Sequence, residues 1–370
     1  MNVSPVIVIG AGPQGLAAAA HLAERNVPAV VLEAGDGPAA AVAEWGHVRL
    51  FSEWPELVDR AGARLLEPTG WSAPTTGYPT GAQWIAGYLA PLAAALSDRI
   101  RYGARVVGVS RLGRDRLVDA GRGEQPFTVH VQPVDGDEYR LQARAVIDAS
   151  GTWSSPNPAG ADGLPALGER TVSDLLSYRI PDFRDREGFE GKHTVVIGSG
   201  HSAITAVLAL ARMARRDSNT TVTWALSRTT TGNAFGGGDA DELPARGALG
   251  IKAKEFVDAG LVSLVTGFRI ERVTVTANVP CWLPRTAAPL PLIASWCSPG
   301  SGLTCPSCQS CGWSWTLRCK PRCGSPRRWT RTCIPAGRSP RQVPSTSRSR
   351  NMIFTWWARS RMDAPRRFSP

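Results

Sequence analysis

Cysteine is missing from most of this 370-residue sequence, and that absence excludes one kind of redox chemistry. No cysteine occurs before Cys281, and all eight lie between Cys281 and Cys333. Thiol–disulfide exchange requires reactive cysteine thiols in the catalytic part of an enzyme. Residues 1–278 therefore exclude the disulfide reductases, which depend on a redox-active cysteine pair.

Acidic residues are nearly absent from the other end of the chain. Through Asn278 there are 27 Lys and Arg against 30 Asp and Glu, a net charge of −3. From Val279 onward there are 15 basic residues and one acid, Asp363, a net charge of +14, so the formal total is −3 + 14 = +11. The basic charge belongs to the tail and gives no reason to expect nucleic-acid binding by residues 1–278.

Long apolar runs are also lacking. None reaches the roughly 20 residues that a membrane-spanning helix needs. The first apolar run, Val6–Ile9, has no basic leader before it and no cleavage site after it. We therefore expect a cytoplasmic protein without a membrane partner, in a chain long enough for two or three domains.

The first pattern that indicates chemistry lies near the N-terminus. The β-branched run Val6–Ile9 leads into the turn GAGPQG, residues 10–15, and then into the alanine-rich residues 16–25. This order predicts a strand, a tight turn and a helix. A second predicted strand, residues 29–32, ends in Glu33, at the spacing where a carboxylate binds a ribose.

Each glycine of this turn has a separate purpose in a dinucleotide site. Gly10 makes the turn, Gly12 lets a pyrophosphate approach the backbone, and Gly15 lets the helix pack on the strand. The pyrophosphate lies at the helix N-terminus, beside Pro13 and Gln14. An ordinary glycine-rich turn is the alternative, but it does not explain the strand, the helix and Glu33 together.

A later segment connects this unit to a known family. Residues 145–153, AVIDASGTW, predict another buried strand that runs into a turn of small residues. The segment resembles the end of the FAD domain in flavoproteins with two dinucleotide domains. That resemblance implies that Ser150 and Gly151 contact FAD.

Residues 44–52, EWGHVRLFS, resemble the flavin-proximal loop of a bacterial subgroup that includes flavoproteins of arsenic-resistance operons. Trp45, Arg49 and Val106 are further residues predicted to bind the cofactor.

The strand-turn-helix pattern recurs at residues 194–203, TVVIGSGHSA. Here Ala203 takes the third glycine position, where alanine still permits close packing. The next predicted strand, residues 221–226, is followed by Ser227 and Arg228 instead of an acid. A guanidinium binds a ribose 2′-phosphate, so Arg228 favours NADPH over NADH, and an unengaged surface arginine is the alternative. The residues predicted to bind NADPH are Gly198, Ser199, Gly200, His201, Ser202, Ala203 and Arg228.

Two such units in the order FAD then NADPH indicate transfer of a hydride from nicotinamide to flavin. The absence of cysteine and the resemblance favour the flavin-containing monooxygenases, with a small-molecule substrate and oxygen as partners. Their hallmark motif, FxGxxxHxxxW/Y, is not intact, because residues 163–178 contain no histidine. An FAD-dependent NADPH reductase without oxygenation stays open. We assign no catalytic acid or base, and neither His47 nor His201 receives a proton-transfer role.

The tail admits three interpretations. Its CxxC spacing at Cys305 and Cys308 is typical of zinc sites, and its arginines and tryptophans are typical of nucleic-acid arms. The third interpretation is a shifted reading frame. In the frame that starts at the third base of each codon, residues 295–306 and 351–369 admit segments resembling the end of the same flavoprotein family. We favour the shifted frame, with no metal site and no nucleic-acid partner.

These observations predict an α/β chain with two Rossmann-like dinucleotide-binding domains. Residues 1–160 are predicted to form the N-terminal part of the FAD domain, and residues 161–278 the NADPH domain. The FAD domain is expected to be discontinuous and to lack its normal C-terminal segment. Residues 279–370 are expected to form an irregular or disordered, out-of-frame tail, so FAD retention by this chain is expected to be weak.

Overall fold

A computed structural model describes residues 4–231, 234–276 and 279–284 of the chain. The strands are β1 (Val6–Ile9), β2 (Ala29–Leu32), β3 (Ile100–Arg101), β4 (Ala104–Arg111), β5 (Phe127–Pro133), β6 (Tyr139–Ala143), β7 (Ala145–Asp148), β8 (His193–Ile197), β9 (Thr221–Ala225), β10 (Ser263–Val265), β11 (Ile270–Thr276) and β12 (Val279–Pro284). The α-helices are α1 (Pro13–Glu24), α2 (Ala40–Glu44), α3 (Trp54–Leu57), α4 (Arg60–Leu66), α5 (Gly81–Trp84), α6 (Ala90–Ala95), α7 (His201–Ala214) and α8 (Pro244–Asp258).

The first sheet is parallel and has the strand order β3-β2-β1-β7. Strand β1 lies at its centre, and Ile7 and Val8 are fully buried there. Continuous β-branched runs suit a strand that is covered on both faces. Helix α1 covers one face and begins at Pro13, three residues before the predicted start, because proline fits the first helical position.

The layer above this sheet is built from α1, α4 and the helical segment α5 to α6. Leu16 of α1, Leu66 of α4 and Leu92 of α6 are almost completely buried in one cluster with Val8 and Val31. Each such side chain contributes about 1.5–3 kcal/mol through burial. The other face of the sheet packs against the antiparallel sheet β4-β5-β6, through Ile7, Leu32 and Val129 among others.

The second parallel sheet has the order β10-β9-β8. Helices α7 and α8 pack on each other and on this sheet, and their shared cluster includes Val207, Trp224 and Phe256. The arrangement repeats the strand-turn-helix-strand order of the first sheet. The predicted α/β class with two Rossmann-like units is therefore confirmed.

Strands β11 and β12 form an antiparallel hairpin after the second parallel sheet. Strand β12 covers the first residues of the segment that we expected to be irregular, so that expectation is wrong for Val279–Pro284. Pairing with β11 overrides the weak local pattern there. Residues 285–370, for which we favoured a shifted frame over a zinc site or a nucleic-acid arm, lie outside the described residues.

Two strands differ from the others in burial. We expected β7 to be buried, yet its second half is exposed, and Ile147 is 36% exposed. Strand β8 is only partly buried along its whole length. Each is the last strand of its parallel sheet among the described residues, so no further described strand covers its outer edge.

No helix in the described part of the chain is long and apolar enough to cross a membrane.

Candidate functional site

The first glycine-rich turn is held by contacts that only glycine permits at two positions. Gly10 has a φ of +95°, and a Cβ there would lie 2.8 Å from the carbonyl oxygen of Ala149. A Cβ on Gly15 would lie 1.9 Å from the carbonyl oxygen of Gly10. The turn, the first turn of α1 and the segment after β7 are therefore in close contact, as predicted for Gly10 and Gly15.

Gly12 is different, because no contact in the described part of the chain requires glycine there. Its φ of −74° and ψ of −178° suit any residue, and a Cβ would meet no atom within 4 Å. Gly12 is the N-cap of α1, where no side chain accepts a hydrogen bond from the helix and no acid occupies the first turn. The space beside Gly12 at the helix N-terminus is open, which fits a pyrophosphate.

The Glu33 carboxylate lies beside this turn. Its Oε2 accepts a hydrogen bond from the Ala11 amide at 2.6 Å, and its Oε1 accepts one from the Gly35 amide at 2.8 Å. Carboxylate oxygens can accept further hydrogen bonds. The acid is therefore held in place next to the space in front of α1.

Two other predicted FAD residues, Ser150 and Gly151, follow β7 beside the same turn. Ser150 donates from its amide and its hydroxyl to Asp148 Oδ1, at 3.0 and 2.6 Å. Gly151 follows with a φ of +70°. Val106 lies on β4 and packs partly buried against the cluster between the sheets. Pro13 and Gln14 open α1.

The second turn repeats the pattern of the first. Gly198 has a φ of +106°, while Gly200 is the N-cap of α7 with a φ of −77° and a ψ of 166°. A Cβ on Gly200 would meet no atom within 4 Å. No side chain caps α7, and no acid lies in its first turn, which begins with His201, Ser202 and Ala203. Ser199 lies between the two glycines.

Arg228 follows β9 by three residues and is exposed. Its backbone carbonyl accepts a hydrogen bond from Gly267 at 2.6 Å, which fixes the chain at this point. Among the described residues, no carboxylate forms an ion pair with its guanidinium. The cation is therefore available to an anionic ligand at the end of the strand.

A cavity of about 280 Å³ lies between the two units. Trp45 and Arg49 line it from the first unit, and His201 and Ser202 line it from the first turn of α7. The rings of Phe51 and His201 are in contact, with centroids 5.1 Å apart. Residues predicted separately for FAD and NADPH are thus brought to one cavity.

Residues 149–192 connect the first unit to the second and are called the linker. Three consecutive linker residues close one wall of this cavity, and none of them was predicted from the sequence. The Tyr178 hydroxyl donates to Glu169, and Arg179 forms an ion pair with Glu44. The carbonyl of Ile180 accepts a hydrogen bond from His47 Nε2 at 3.0 Å. No local pattern marks these residues, and the contacts of Arg179 and Ile180 join parts of the chain more than 130 residues apart.

Glu169 organises that linker. Its side chain is 3% exposed and accepts hydrogen bonds from the amides of Ala159 and Ala166 at 3.0 and 2.6 Å, besides Tyr178. Burial, with the Glu169 carboxylate second, raises the pKa of Tyr178 to about 12. Tyr178 is therefore a neutral hydrogen-bond donor at physiological pH.

The altered monooxygenase motif falls in the same linker. Gly168 has a φ of +84°, and a Cβ there would lie 2.2 Å from the carbonyl oxygen of Val273, so glycine is required. Counted from Gly168, the histidine position of FxGxxxHxxxW/Y is Val172, and the aromatic position is Leu176. Val172 is buried in an apolar cluster, so the linker keeps its packing without the imidazole.

The environment of His201 keeps its imidazole neutral. Burial, and then the positive charge of Arg246, lower the pKa of His201 below its ordinary value of 6.5. Arg246 is itself paired with Asp241, at 2.6 Å between Nη2 and Oδ1. At pH 7 the turn therefore offers backbone N–H groups rather than an imidazolium charge. Among the described residues, no group of three or more side chains is arranged to hold a metal ion.

The sequence pattern of one family, described as pyridine nucleotide-disulphide oxidoreductase, matches residues 7–233, which include both turns and the linker. The chain belongs to this family. Residues 1–278 contain no cysteine. The chain therefore shares the nucleotide-binding fold of this family without a disulphide centre in the matched residues.

Curated relatives lie among enzymes of several kinds. The chain is 32% identical over 211 residues to "Indole-3-pyruvate monooxygenase YUCCA1" of Oryza sativa subsp. japonica, covering 57% of this chain and 46% of that protein. It is 30% identical over 219 residues to "Thiamine thiazole synthase" of Archaeoglobus fulgidus, covering 57% of this chain and 79% of that protein. The match to the monooxygenase spans about half of that protein's length.

The fold of this chain is similar to that of "Bacillithiol Disulfide Reductase Bdr (YpdA) from Bacillus cereus". The TM-score is 0.57 at 20% identity, covering 76% of this chain and 75% of the other. This similarity shows the arrangement of the two nucleotide units.

Proposed function

We propose that this chain derives from an NADPH-dependent FAD monooxygenase that oxygenates a small molecule. FAD would bind at Gly10–Gly15, Glu33, Ser150 and Gly151, with Trp45, Arg49 and Val106 around it. NADPH would bind at residues 198–203 and Arg228. Bound flavin would supply hydride acceptance and oxygen chemistry, and the protein would supply placement, charge and shielding.

The observation that carries this proposal is glycine at positions 12 and 200. At both positions the backbone is ordinary and a Cβ would enter open space. Glycine there has no structural purpose in the protein alone, but a pyrophosphate against the backbone excludes any side chain. We call the open space beside each of these glycines the cradle of its turn. The two cradles support the binding of two dinucleotides.

The residues at the ends of β2 and β9 support different nucleotides. Glu33 is an acceptor held beside the first cradle, which suits ribose hydroxyls. Arg228 is an exposed cation beyond the second strand, which suits a 2′-phosphate. FAD followed by NADPH is the assignment that these charges favour.

The cavity supports a reaction in which oxygen is used away from water. Aromatic and aliphatic side chains form most of its wall, and the linker residues Tyr178, Arg179 and Ile180 close one side. Exclusion of water protects reactive flavin species and raises the strength of local electrostatic interactions. The similarity to the plant enzyme named as an indole-3-pyruvate monooxygenase supports the same reaction type.

We propose also that the chain as given retains FAD weakly, because its tail derives from a shifted reading frame. The partly exposed strands β7 and β8 support this, since both are apolar strands at the ends of parallel sheets. A segment in the original frame would cover them and complete the flavin end of the site.

The test compares the chain as given with a protein whose reading frame is restored by inserting one base among the codons for residues 273–282. We expect the restored protein to retain FAD stoichiometrically and to oxidise NADPH with matching product formation. The unaltered chain should retain less than a tenth as much FAD, read from flavin absorbance. Stoichiometric flavin and coupled NADPH oxidation in the unaltered chain would contradict the shifted frame.

A second candidate is an FAD-dependent NADPH reductase that passes electrons to another acceptor. Val172 and Leu176 at the histidine and aromatic positions of the monooxygenase motif favour it. The ratio of oxygenated product to NADPH consumed separates the two. A ratio near one supports the monooxygenase, and NADPH loss that depends only on an added electron acceptor supports the reductase.

A further inference from the structure

The carbonyl of Gly198, in the second glycine-rich turn, is bound by a buried tryptophan. Trp224 lies in β9, where its backbone pairs with Val196 of β8. The ring is fully buried, and its Nε1–H donates to the Gly198 carbonyl oxygen at 2.7 Å. A side chain on the neighbouring strand therefore fixes the turn that precedes α7.

Among the described residues no side chain donates to the Gly10 carbonyl of the first turn, and this turn also differs at the third glycine position. The Gly10 carbonyl oxygen lies where a Cβ on Gly15 would approach to 1.9 Å. The second turn has Ala203 at the equivalent position, so a real Cβ occupies that region. A Gly198 carbonyl oriented like that of Gly10 would collide with this methyl group.

The Trp224 ring has little freedom to move. It packs in the cluster of α7 and α8 and makes an edge contact with Phe235, with ring centroids 5.7 Å apart. The segment around Phe235 is itself pressed against α8, because a Cβ on Gly250 would lie 1.6 Å from the Phe235 carbonyl oxygen. The indole N–H is therefore preorganised toward Gly198.

We propose that Trp224 is a positioning residue for the second nucleotide. Its indole N–H holds the Gly198 carbonyl away from Ala203, so that the turn keeps an open cradle although its third glycine is alanine. This inference rests on the proposed binding of NADPH at residues 198–203. Trp224 does not touch the nucleotide and acts through the shape of the turn.

The sharpest variant replaces Trp224 with 3-benzothienylalanine by nonsense suppression, which keeps the ring shape and removes only the N–H. Trp224→Phe is the genetically simpler companion, and Phe256→Leu is the control for packing loss in the same cluster. Loss of one neutral hydrogen bond should weaken binding of 2′,5′-ADP by about fivefold. The measurements are calorimetric affinity for 2′,5′-ADP and amide hydrogen exchange of residues 198–203.

We expect faster exchange at 198–203 in both Trp224 variants, with residues 10–16 unchanged, and weaker nucleotide binding that Phe256→Leu does not reproduce. Combining either variant with Ala203→Gly should recover part of the affinity, because the methyl group is then absent. Unchanged exchange and affinity in the benzothienyl variant would overturn the proposal for Trp224. No binding of 2′,5′-ADP by the unaltered protein would instead overturn the proposed NADPH site, while the exchange measurement would still decide how the turn is held.

Discussion

The two glycine-rich units of this chain share their turn chemistry and differ in what surrounds it. In the first, Gly15 packs directly on the Gly10 carbonyl, and the Glu33 carboxylate binds the Ala11 amide. In the second, Ala203 replaces the third glycine, and an indole binds the Gly198 carbonyl. The same cradle is thus built with an acceptor in one unit and a donor in the other.

The comparison separates the glycines that the protein's own packing requires from the residues that suit the nucleotide. Gly10 and Gly15 are required by contacts inside the protein, whereas Gly12 and Gly200 are not. The charged residue after the second strand is the acid Glu33 in the first unit and the base Arg228 in the second. Packing and nucleotide choice can therefore be altered separately.

The largest effect should come from exchanging the third small residue of each unit. Gly15→Ala places a Cβ 1.9 Å from the Gly10 carbonyl oxygen, so we expect a loss of at least about 3 kcal/mol in the free energy of unfolding. Ala203→Gly should cost about 1 kcal/mol or less, from helix propensity alone. Urea unfolding of both variants measures the difference. Equal losses of unfolding free energy would contradict the distinction between the two third positions.

The next effect should come from alanine at the open glycines. In Gly12→Ala and Gly200→Ala the new methyl group meets no protein atom, so the midpoint of thermal unfolding should stay unchanged. Overpacking against a pyrophosphate should weaken FAD binding in the first variant and NADPH binding in the second, each by about 10- to 100-fold. These affinities are best measured in the frame-restored protein.

Gly123→Ala is the matched control for these two variants, because its Cβ also enters open space and Gly123 lies in the connection between β4 and β5. It should change neither affinity. A loss of both cofactors in either turn variant would show that the two cradles are not independent.

A smaller effect should follow from removing the positive charge beyond β9. Arg228→Gln should weaken NADPH binding by about tenfold through loss of charge-assisted hydrogen bonds. NADH binding, which involves no 2′-phosphate, should not change. Arg216→Gln, also exposed and in the same unit, is the control, and equal weakening of both nucleotides by Arg228→Gln would remove the specificity assignment.

The smallest effect concerns His201, which stands where the first unit has Pro13. Because its pKa is lowered in the folded protein, His201 contributes stability above about pH 6.5 that is lost as the pH falls through its folded-state pKa. His201→Gln should remove this component of the acid-induced loss. Unfolding free energies between pH 7.5 and 5 measure it, and parallel curves for the two proteins would contradict it.

Sequence patterns predicted the two nucleotide units because their signals are local. The predicted strand at residues 29–32 matches β2, and that at 221–226 matches β9 to within one residue. The start of α1 was missed by three residues because proline at a first helical position was not counted as helix. The burial expected for β7 was wrong, since it depends on what lies beyond the strand.

The cavity and its linker wall had no such signal. Tyr178 contacts Glu169 within the linker, but Arg179 reaches Glu44 and Ile180 reaches His47, each more than 130 residues away. Contacts across such separations leave no period in the sequence. They exist only once the linker has packed against the first unit.

The sequence alone determined the two strand-turn-helix units and the charged residues that follow them, Glu33 and Arg228. Spacing and residue type are sufficient to predict such local features. Tertiary structure alone set the distances that leave Gly12 and Gly200 beside open space and bring Gly10 and Gly15 against backbone carbonyls. It also decided that Trp224 holds Gly198 and that both units border one cavity. These facts depend on the distances between atoms that the chain brings together only when strands and helices pack.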